Sequence, residues 1–194
     1  MKKLIVFADL HKNSPGGHAW NGRLEYGENV IYAGDVMEFK NLAKNRVPKC
    51  ILEYKSFLNM CKLTKTVVVA GNHETSVGRD YCSQYAMVKT FNGKRILVIH
   101  GDVLYWNHQK VKKWRNRKPG VSWFKLQLIK LKNGNYKESK PKRPSIEVLD
   151  EAVRLARANK CTHLVYGHTH NYFRGLHHGI DIINVGRGRT VIKI

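Results

Sequence analysis

The sequence predicts an α/β sandwich, with a mixed central sheet or two stacked sheets held between helices. Three observations predict it. Short, wholly apolar runs such as Leu4 to Ala8 and Val30 to Ala33 read as strands buried on both faces. Helical stretches alternate with such runs in the first part of the chain. Later, extended runs pair across turn dipeptides such as Asn92-Gly93.

Leu4 to Ala8 is the first strand, followed by a Gly/Asn/Pro-rich loop from Asn13 to Gly22. Val30 to Ala33 is the second. From Val36 to Leu63 the pattern is helical, and Pro48 divides it into two helices. Thr66 to Ala70 is the third strand. Tyr85 to Phe91 and Lys94 to His100 flank Asn92-Gly93 and form a hairpin with a type I′ turn. Ser145 caps a helix that runs to about Asn159, with Ile146, Leu149, Val153 and Ala156 on its core face. Thr162 to Tyr166 is another strand, and Tyr172 to Ile194 supplies short antiparallel strands around Gly179.

A chain of 194 residues suits a single domain over 1–194, able to bury a core without disulfides or a structural metal. The apolar fraction of 42% excludes a disordered chain. Lys and Arg total 35 against 14 Asp and Glu, a net charge of +21 that favours phosphate-rich partners such as nucleic acid, nucleotides or an anionic membrane surface. Cys50, Cys61, Cys82 and Cys161 form no C-x-x-C pair and read as reduced thiols of a cytoplasmic protein. Asp9 and His11 interrupt the N-terminal apolar run too early for a signal peptide, and no stretch is long enough to span a membrane.

The strand ends carry the chemistry. The first strand runs into Asp9-Leu10-His11 and the second into Gly34-Asp35-Val36-Met37-Glu38. The third runs into Gly71-Asn72-His73-Glu74, the hairpin's return strand into His100-Gly101-Asp102, and the Thr162 strand into Gly167-His168-Thr169-His170. Parallel strands deliver their carboxyl ends to one edge of a sheet, where sites form. Imidazole nitrogens mixed with carboxylate oxygens suit Zn, Mn, Fe and similar divalent ions better than Ca or Mg. In Asp9-x-His11 and His168-x-His170, side chains two apart on an extended segment point the same way. Glycines before Asp35, Asn72 and His168 admit a sharp turn and close backbone approach. A lone His at a strand end is more often a hydrogen-bonded structural residue, and a lone Asp a helix cap. Five such endings together are not explained that way.

The order D-x-H, G-D-x-x-E, G-N-H-E, H-G-D, G-H-T-H, spread over residues 9 to 170, resembles the calcineurin-like metallophosphoesterase superfamily. The resemblance implies a four-layer α/β/β/α sandwich of mixed sheets. It implies a phosphoester hydrolase acting through a hydroxide activated by two divalent metal ions. Asp9, His11 and His170 would hold one ion; Asn72, His100 and His168 the other; Asp35 would bridge them. His73 matches the family's His that contacts phosphate and protonates the leaving group. Glu74 and Asp102 fall where they would orient His ligands. Manganese is the metal the family suggests; Zn2+, Fe2+, Co2+ or Ni2+ also suit these ligands. Asn184-Val185-Gly186 resembles the family's segment beneath the site, though a plain turn explains it equally well.

Between two ligand-bearing strands, residues 103–144 form a basic, helical cap insertion. From Val103 to Ser145 there are thirteen Lys/Arg and one acid, Glu138. Lys112, Lys113, Arg115 and Arg117, interleaved with Trp106, Trp114 and Trp123, suit nucleic acid or nucleotides through phosphate neutralisation and base stacking. The same composition suits an anionic membrane surface, or a solvated basic face. The cap's place after His100-Gly101-Asp102 also resembles the UDP-diacylglucosamine pyrophosphatases, although that branch has Arg where this chain has His73. G-N-H-E is shared with serine/threonine protein phosphatases, whose longer Arg signatures are missing. A non-catalytic nucleic-acid-binding module is the alternative from another class, and it expects a replaced ligand, which the sequence does not have.

Overall fold

The structure is a computed structural model that describes residues 3–14, 21–40, 42–74, 84–105 and 143–194. Among the described residues, nine strands form two mixed sheets. Sheet one contains β1 (Lys3–Ala8), β2 (Val30–Ala33), β3 (Val67–Val69) and β9 (Gly188–Lys193), in the order β3-β2-β1-β9. Sheet two contains β4 (Ala86–Phe91), β5 (Lys94–Ile99), β6 (His163–Tyr166), β7 (Tyr172–His177) and β8 (Ile180–Val185), in the order β4-β5-β6-β8-β7. β1-β2-β3 and β5-β6-β8 run parallel; antiparallel β9 closes one edge of sheet one, whose other edge is the parallel strand β3, and antiparallel β4 and β7 close both edges of sheet two.

The layering follows from side-chain alternation along the strands. Leu4, Val6 and Ala8 point between the sheets, where they meet Ile31, Ala33, Val67 and Val69 of sheet one and Ile96, Val98, Val165 and Ile183 of sheet two. Phe7, Tyr32 and Val68 point outward onto α1 (Val47–Leu63), packing on Cys50, Tyr54, Phe57 and Cys61. On the other side Leu97, Leu164, Tyr166 and Ile182 meet Val148, Ala152, Val153 and Ala156 of α3 (Ile146–Ala158). The result is the expected four-layer α/β/β/α sandwich. A single turn of helix, α2 (Asp102–Tyr105), follows β5. Asn92 and Gly93 take φ of 50° and 74°, the two left-handed positions that a type I′ hairpin turn requires.

Three expectations need correction. Pro48 does not divide two helices: it lies in the first turn of α1, where its missing N–H costs nothing. Val36, Met37, Phe39 and Leu42 are buried without being helical, and Lys12 bridges to Met37 beside them. Their apolar spacing serves a folded-in loop. The core face of α3 is also rotated from the expected one: Val148 and Ala152 are buried, whereas Ile146 is 57% exposed. Cys50, Cys61 and Cys161 are free thiols, and burial pushes Cys50 up to about 11 and Cys61 to about 12. No described helix is long and apolar enough to cross a membrane.

Candidate metal centre

The carboxyl ends of β1, β2, β3, β5 and β6 meet at one edge of the sandwich, and the seven expected ligands meet there. Asp9, His11 and His170 each offer a ligand atom within 4.8 Å of the others, and so do Asp35, His100 and His168. Asp35 belongs also to a third group, with His11 and His73, so it reaches both trios. Asn72 joins the second trio, its Oδ1 3.2 Å from His100 Nε2.

The candidate ligands are placed by unusual backbone, not by extended strand. Asp9, His11, Asp35, His168 and His170 have φ of 53°, 46°, 53°, 88° and 60°. Left-handed conformations of this kind are sparsely populated by non-glycine residues and persist only where surroundings hold them. The expectation that Asp9 and His11 converge because an extended segment points both the same way is therefore replaced. The chain curls after each strand, and each loop is pinned by a neighbour: the N–H of His11 donates to the carbonyl of Asp35, and that of Asp9 to Gly34. Close approach demands the glycines. A Cβ on Gly34 would lie 2.5 Å from His100 Nδ1, and one on Gly71 would collide with the Asp35 carboxylate.

Each carboxylate has one oxygen held and one left toward the centre. Asp9 Oδ2 accepts the backbone N–H of His168 at 2.7 Å, while Asp9 Oδ1 is buried with no hydrogen-bond partner and lies 3.6 Å from His170 Nε2. Asp35 Oδ1 accepts the N–H of His73 at 2.8 Å, and Oδ2 lies 3.3 Å from His100 Nε2. His100 Nδ1 donates to the carbonyl of Ala33 at 2.9 Å, which commits Nε2 to the centre. There it faces Asp35 Oδ2, Asn72 Oδ1 and, at 3.2 Å, His168 Nδ1.

Such a gathering of lone pairs needs a positive centre among them. Without a metal ion the proton on His100 supplies it: burial opposes that charge, but Asp35 overcomes burial and lifts His100 to about 10. Burial acts to raise Asp35 too, yet the charges of His100 and His73 hold its carboxyl well below the usual range. Burial raises Asp9 to about 7, against the pull of His100, and lowers His11 to about 4 and His168 to about 3. Neutral imidazoles beside buried carboxylates are what divalent ions require. The spacings of 3.2–3.6 Å among these atoms also suit ligands around one ion with bonds of about 2.0–2.1 Å. The residues fit a pair of divalent ions.

His73 stands at the rim, its side chain 15% exposed, with Nδ1 donating to Glu38 Oε1 at 2.7 Å and Nε2 3.8 Å from Asp35 Oδ2. Burial works against its charge, but Asp35 and the Glu38 bond prevail and raise it. Glu38 was missed as a functional residue, although its spacing in G-D-x-x-E marks it: buried, it also lies 3.6 Å from His11 Nδ1. Lys40 stands in the field of the same carboxylates. Burial pushes its amine down to about 7, against the charges of Asp35, Glu38, Asp102 and Glu74, and a surface-type residue gives no such signal in sequence.

Glu74 takes a different part from the one expected. It is fully buried and binds backbone: Oε2 accepts the N–H groups of Asp35 at 2.9 Å and Gly71 at 2.8 Å, and Oε1 that of Met37 at 2.8 Å. It thereby clasps the loops after β2 and β3 together. Asp102, buried at the start of α2, adds its charge to those acting on His100. Asn184 is buried, bonded to Thr169 Oγ1 and accepting the Gly186 N–H at 3.1 Å. Lys112, Lys113, Arg115, Arg117, Trp106, Trp114 and Trp123 lie outside the described residues, as does most of the cap.

Comparison with known proteins agrees with this architecture. Residues 1–191 match the model of the calcineurin-like phosphoesterase superfamily domain. A curated relative, the UDP-2,3-diacylglucosamine hydrolase of Aliivibrio fischeri (strain MJ11), is 22% identical over 167 residues, 75% of this chain and 69% of that protein. The solved structure of Vacuolar Protein Sorting 29 from Cryptosporidium parvum aligns with a TM-score of 0.50 at 16% identity, covering 95% of this chain and 74% of that one. A conserved protein of Streptococcus pneumoniae TIGR4, described as a predicted phosphoesterase, aligns at 0.45 and 16% identity over 100% of this chain and 85% of its own.

Proposed function

The chain belongs to the calcineurin-like phosphoesterase superfamily, and we propose that it hydrolyses phosphoester bonds of nucleic acids or nucleotides at a centre of two divalent ions. The observation that carries the reading is the convergence of Asp9, His11, Asp35, Asn72, His100, His168 and His170 on one edge, with Asp35 in reach of both trios. Asp9, His11 and His170 would hold one ion, Asn72, His100 and His168 the other, and Asp35, in reach of both trios, would serve both. Manganese is the proposed metal, with Zn2+, Fe2+, Co2+ and Ni2+ as the competing occupants.

When bound, such a pair of ions polarises phosphoryl oxygens and acidifies a water. The chain's own residues do the rest. His73 protonates the departing oxygen from Nε2, because Nδ1 is engaged with Glu38 and the carboxylate raises the basicity of the ring. Glu38 positions that imidazole. Glu74 fixes the loops that carry Asp35 and Asn72, so the ligand geometry is set before substrate arrives. The substrate class rests on charge: thirteen Lys/Arg between Val103 and Ser145, interleaved with Trp.

The test is a metal-dependent activity panel. It compares bis-p-nitrophenyl phosphate, p-nitrophenyl phosphate, cyclic dinucleotides, single- and double-stranded nucleic acid and a UDP-sugar lipid. Neutralising Lys112, Lys113, Arg115 and Arg117 together should raise KM for polynucleotide and leave bis-p-nitrophenyl phosphate turnover unchanged. It should also flatten the salt dependence, whose log–log slope is about −0.7 per phosphate for single strands. Replacing Trp106, Trp114 or Trp123 should weaken binding without changing that slope, since stacking depends little on salt. Unchanged affinity in all these variants overturns the nucleic-acid reading. A second reading, pyrophosphate cleavage in a nucleotide-linked lipid at an anionic membrane surface, is favoured by the similarity to the Aliivibrio hydrolase. Preferential turnover of the UDP-sugar lipid, with co-sedimentation on anionic liposomes, would establish it instead.

A further inference from the structure

At the end of sheet two opposite the metal centre, where β7 turns into β8, a second cluster of metal-binding groups stands apart. Asp150 of α3 and His177 and His178 of the turn each present a ligand atom within 4.8 Å of the others. His177 Nε2 lies 2.8 Å from Asp150 Oδ1, and His178 Nε2 lies 3.8 Å from the same oxygen. We propose that these three residues form a separate divalent-metal site, taking zinc, nickel or copper, that ties α3 to the β7–β8 hairpin.

The geometry is not what a hairpin by itself produces. Neighbouring residues at the end of a strand send their side chains to opposite faces. Here the φ of 46° at His178 turns the chain back, and the two imidazole centroids come to 4.3 Å. The turn does not need a histidine. The β4–β5 hairpin makes the same turn with Asn92-Gly93, at φ of 50° and 74°, against 46° and 81° for His178-Gly179. The Arg157 guanidinium donates to the His178 carbonyl at 2.8 Å and holds the turn against α3 from the backbone side.

The local charge also suits a cation. In a chain with only 14 acids, Glu147, Asp150 and Glu151 fall within five consecutive residues of α3. Two cations lie nearby: Arg154 is committed to Glu151 at 2.7 Å, and Arg157 to the His178 carbonyl at 2.8 Å. Two imidazoles and one carboxylate are a common three-ligand set for zinc, with a further position left to water. An ion with bonds of about 2.0–2.1 Å spaces its ligands some 3.3 Å apart. The observed 2.8 and 3.8 Å bracket that value, so small side-chain rotations suffice. His178 and Asp150 are 63% and 56% exposed, so an ion has free access.

The test uses His178→Asn, which keeps a residue suited to the left-handed turn and removes the imidazole, and Asp150→Asn on the exposed face of α3. The metal-free full-length proteins are titrated with Zn2+ alone, and bound zinc is counted by equilibrium dialysis and plasma emission. Wild type should bind one ion more per chain than either variant, and both variants should turn over bis-p-nitrophenyl phosphate at the wild-type rate. Asp35→Asn, which removes a ligand of the catalytic centre, should keep the extra ion, so failure of the two sites is told apart. Equal zinc stoichiometry in wild type and both variants would show that Asp150 and His177 form only a hydrogen-bonded pair, and overturns the proposal.

Discussion

The two ends of the sandwich use the same backbone conformation for opposite purposes. At the end where the parallel strands begin, Lys65, Asn92, Lys160 and His178 take φ between 46° and 54°, and all four are exposed turn residues. At the end where those strands finish, Asp9, His11 and Asp35 take almost the same φ, between 46° and 53°, and are buried. In the turns the left-handed residue reverses the chain and its side chain is free to be Lys. At the metal edge it folds the side chain back over the strand end, and only Asp or His serves there. Backbone geometry alone does not mark a functional site. Left-handed backbone combined with a buried ionisable side chain does.

Four experiments would break or sharpen that contrast. The largest effect is expected from Asp35→Asn, which removes the charge of the carboxylate proposed to be shared by two cations and keeps shape. Hydrolysis should fall by on the order of 10³-fold or more, and bound metal should drop toward one ion or none. Wild-type turnover with full metal would end the two-ion assignment. Next, His73→Ala should cost about 10²–10⁴-fold on alkyl phosphoesters and far less on nitrophenyl esters, whose leaving group needs little protonation. Equal losses would mean that His73 positions phosphate. Glu74→Gln should cost about 1–3 kcal/mol of thermal stability in the metal-free protein, because one carbonyl oxygen replaces two acceptors and an NH2 is set against backbone N–H groups. A melting midpoint unchanged from wild type would refute the clasp. The smallest effect belongs to the other end. Lys160→Gly should relieve left-handed strain and stabilise by about 0.5–1 kcal/mol with unchanged activity. Asp9→Gly would ease the same strain while abolishing hydrolysis.

Much of this was legible in the residues. Val30 to Ala33 is apolar throughout because both its faces are covered, and Asn92-Gly93 names its own turn. The residues that gather at the carboxyl ends of the strands were legible because five strand ends repeat one kind of chemistry. Two things were not. The segment from Val36 to Leu42 carries a helix-like spacing of apolar residues, but it is held by Lys12 and by the Glu74 carboxylate, contacts made from distant sequence. Local periodicity cannot register them. Glu38 carries no mark of its own beyond its spacing, since its meaning depends on His73, thirty-five residues further along.

The pairing of β9 with β1 bears on the order in which the molecule can assemble. Their register runs from Lys3 opposite Lys193 to Ala8 opposite Gly188, so a strand near the start of the sequence is completed by one near the finish. During synthesis β1 must wait, with one flank uncovered, until residues 188–193 have left the ribosome. Contacts this distant in sequence form slowly. Asp9 directly follows the last residue of that pairing, and the His168 amide that holds it is itself 159 residues away. The catalytic edge therefore cannot form until His168 has been made, and a shorter nascent chain lacks the amide that holds Asp9.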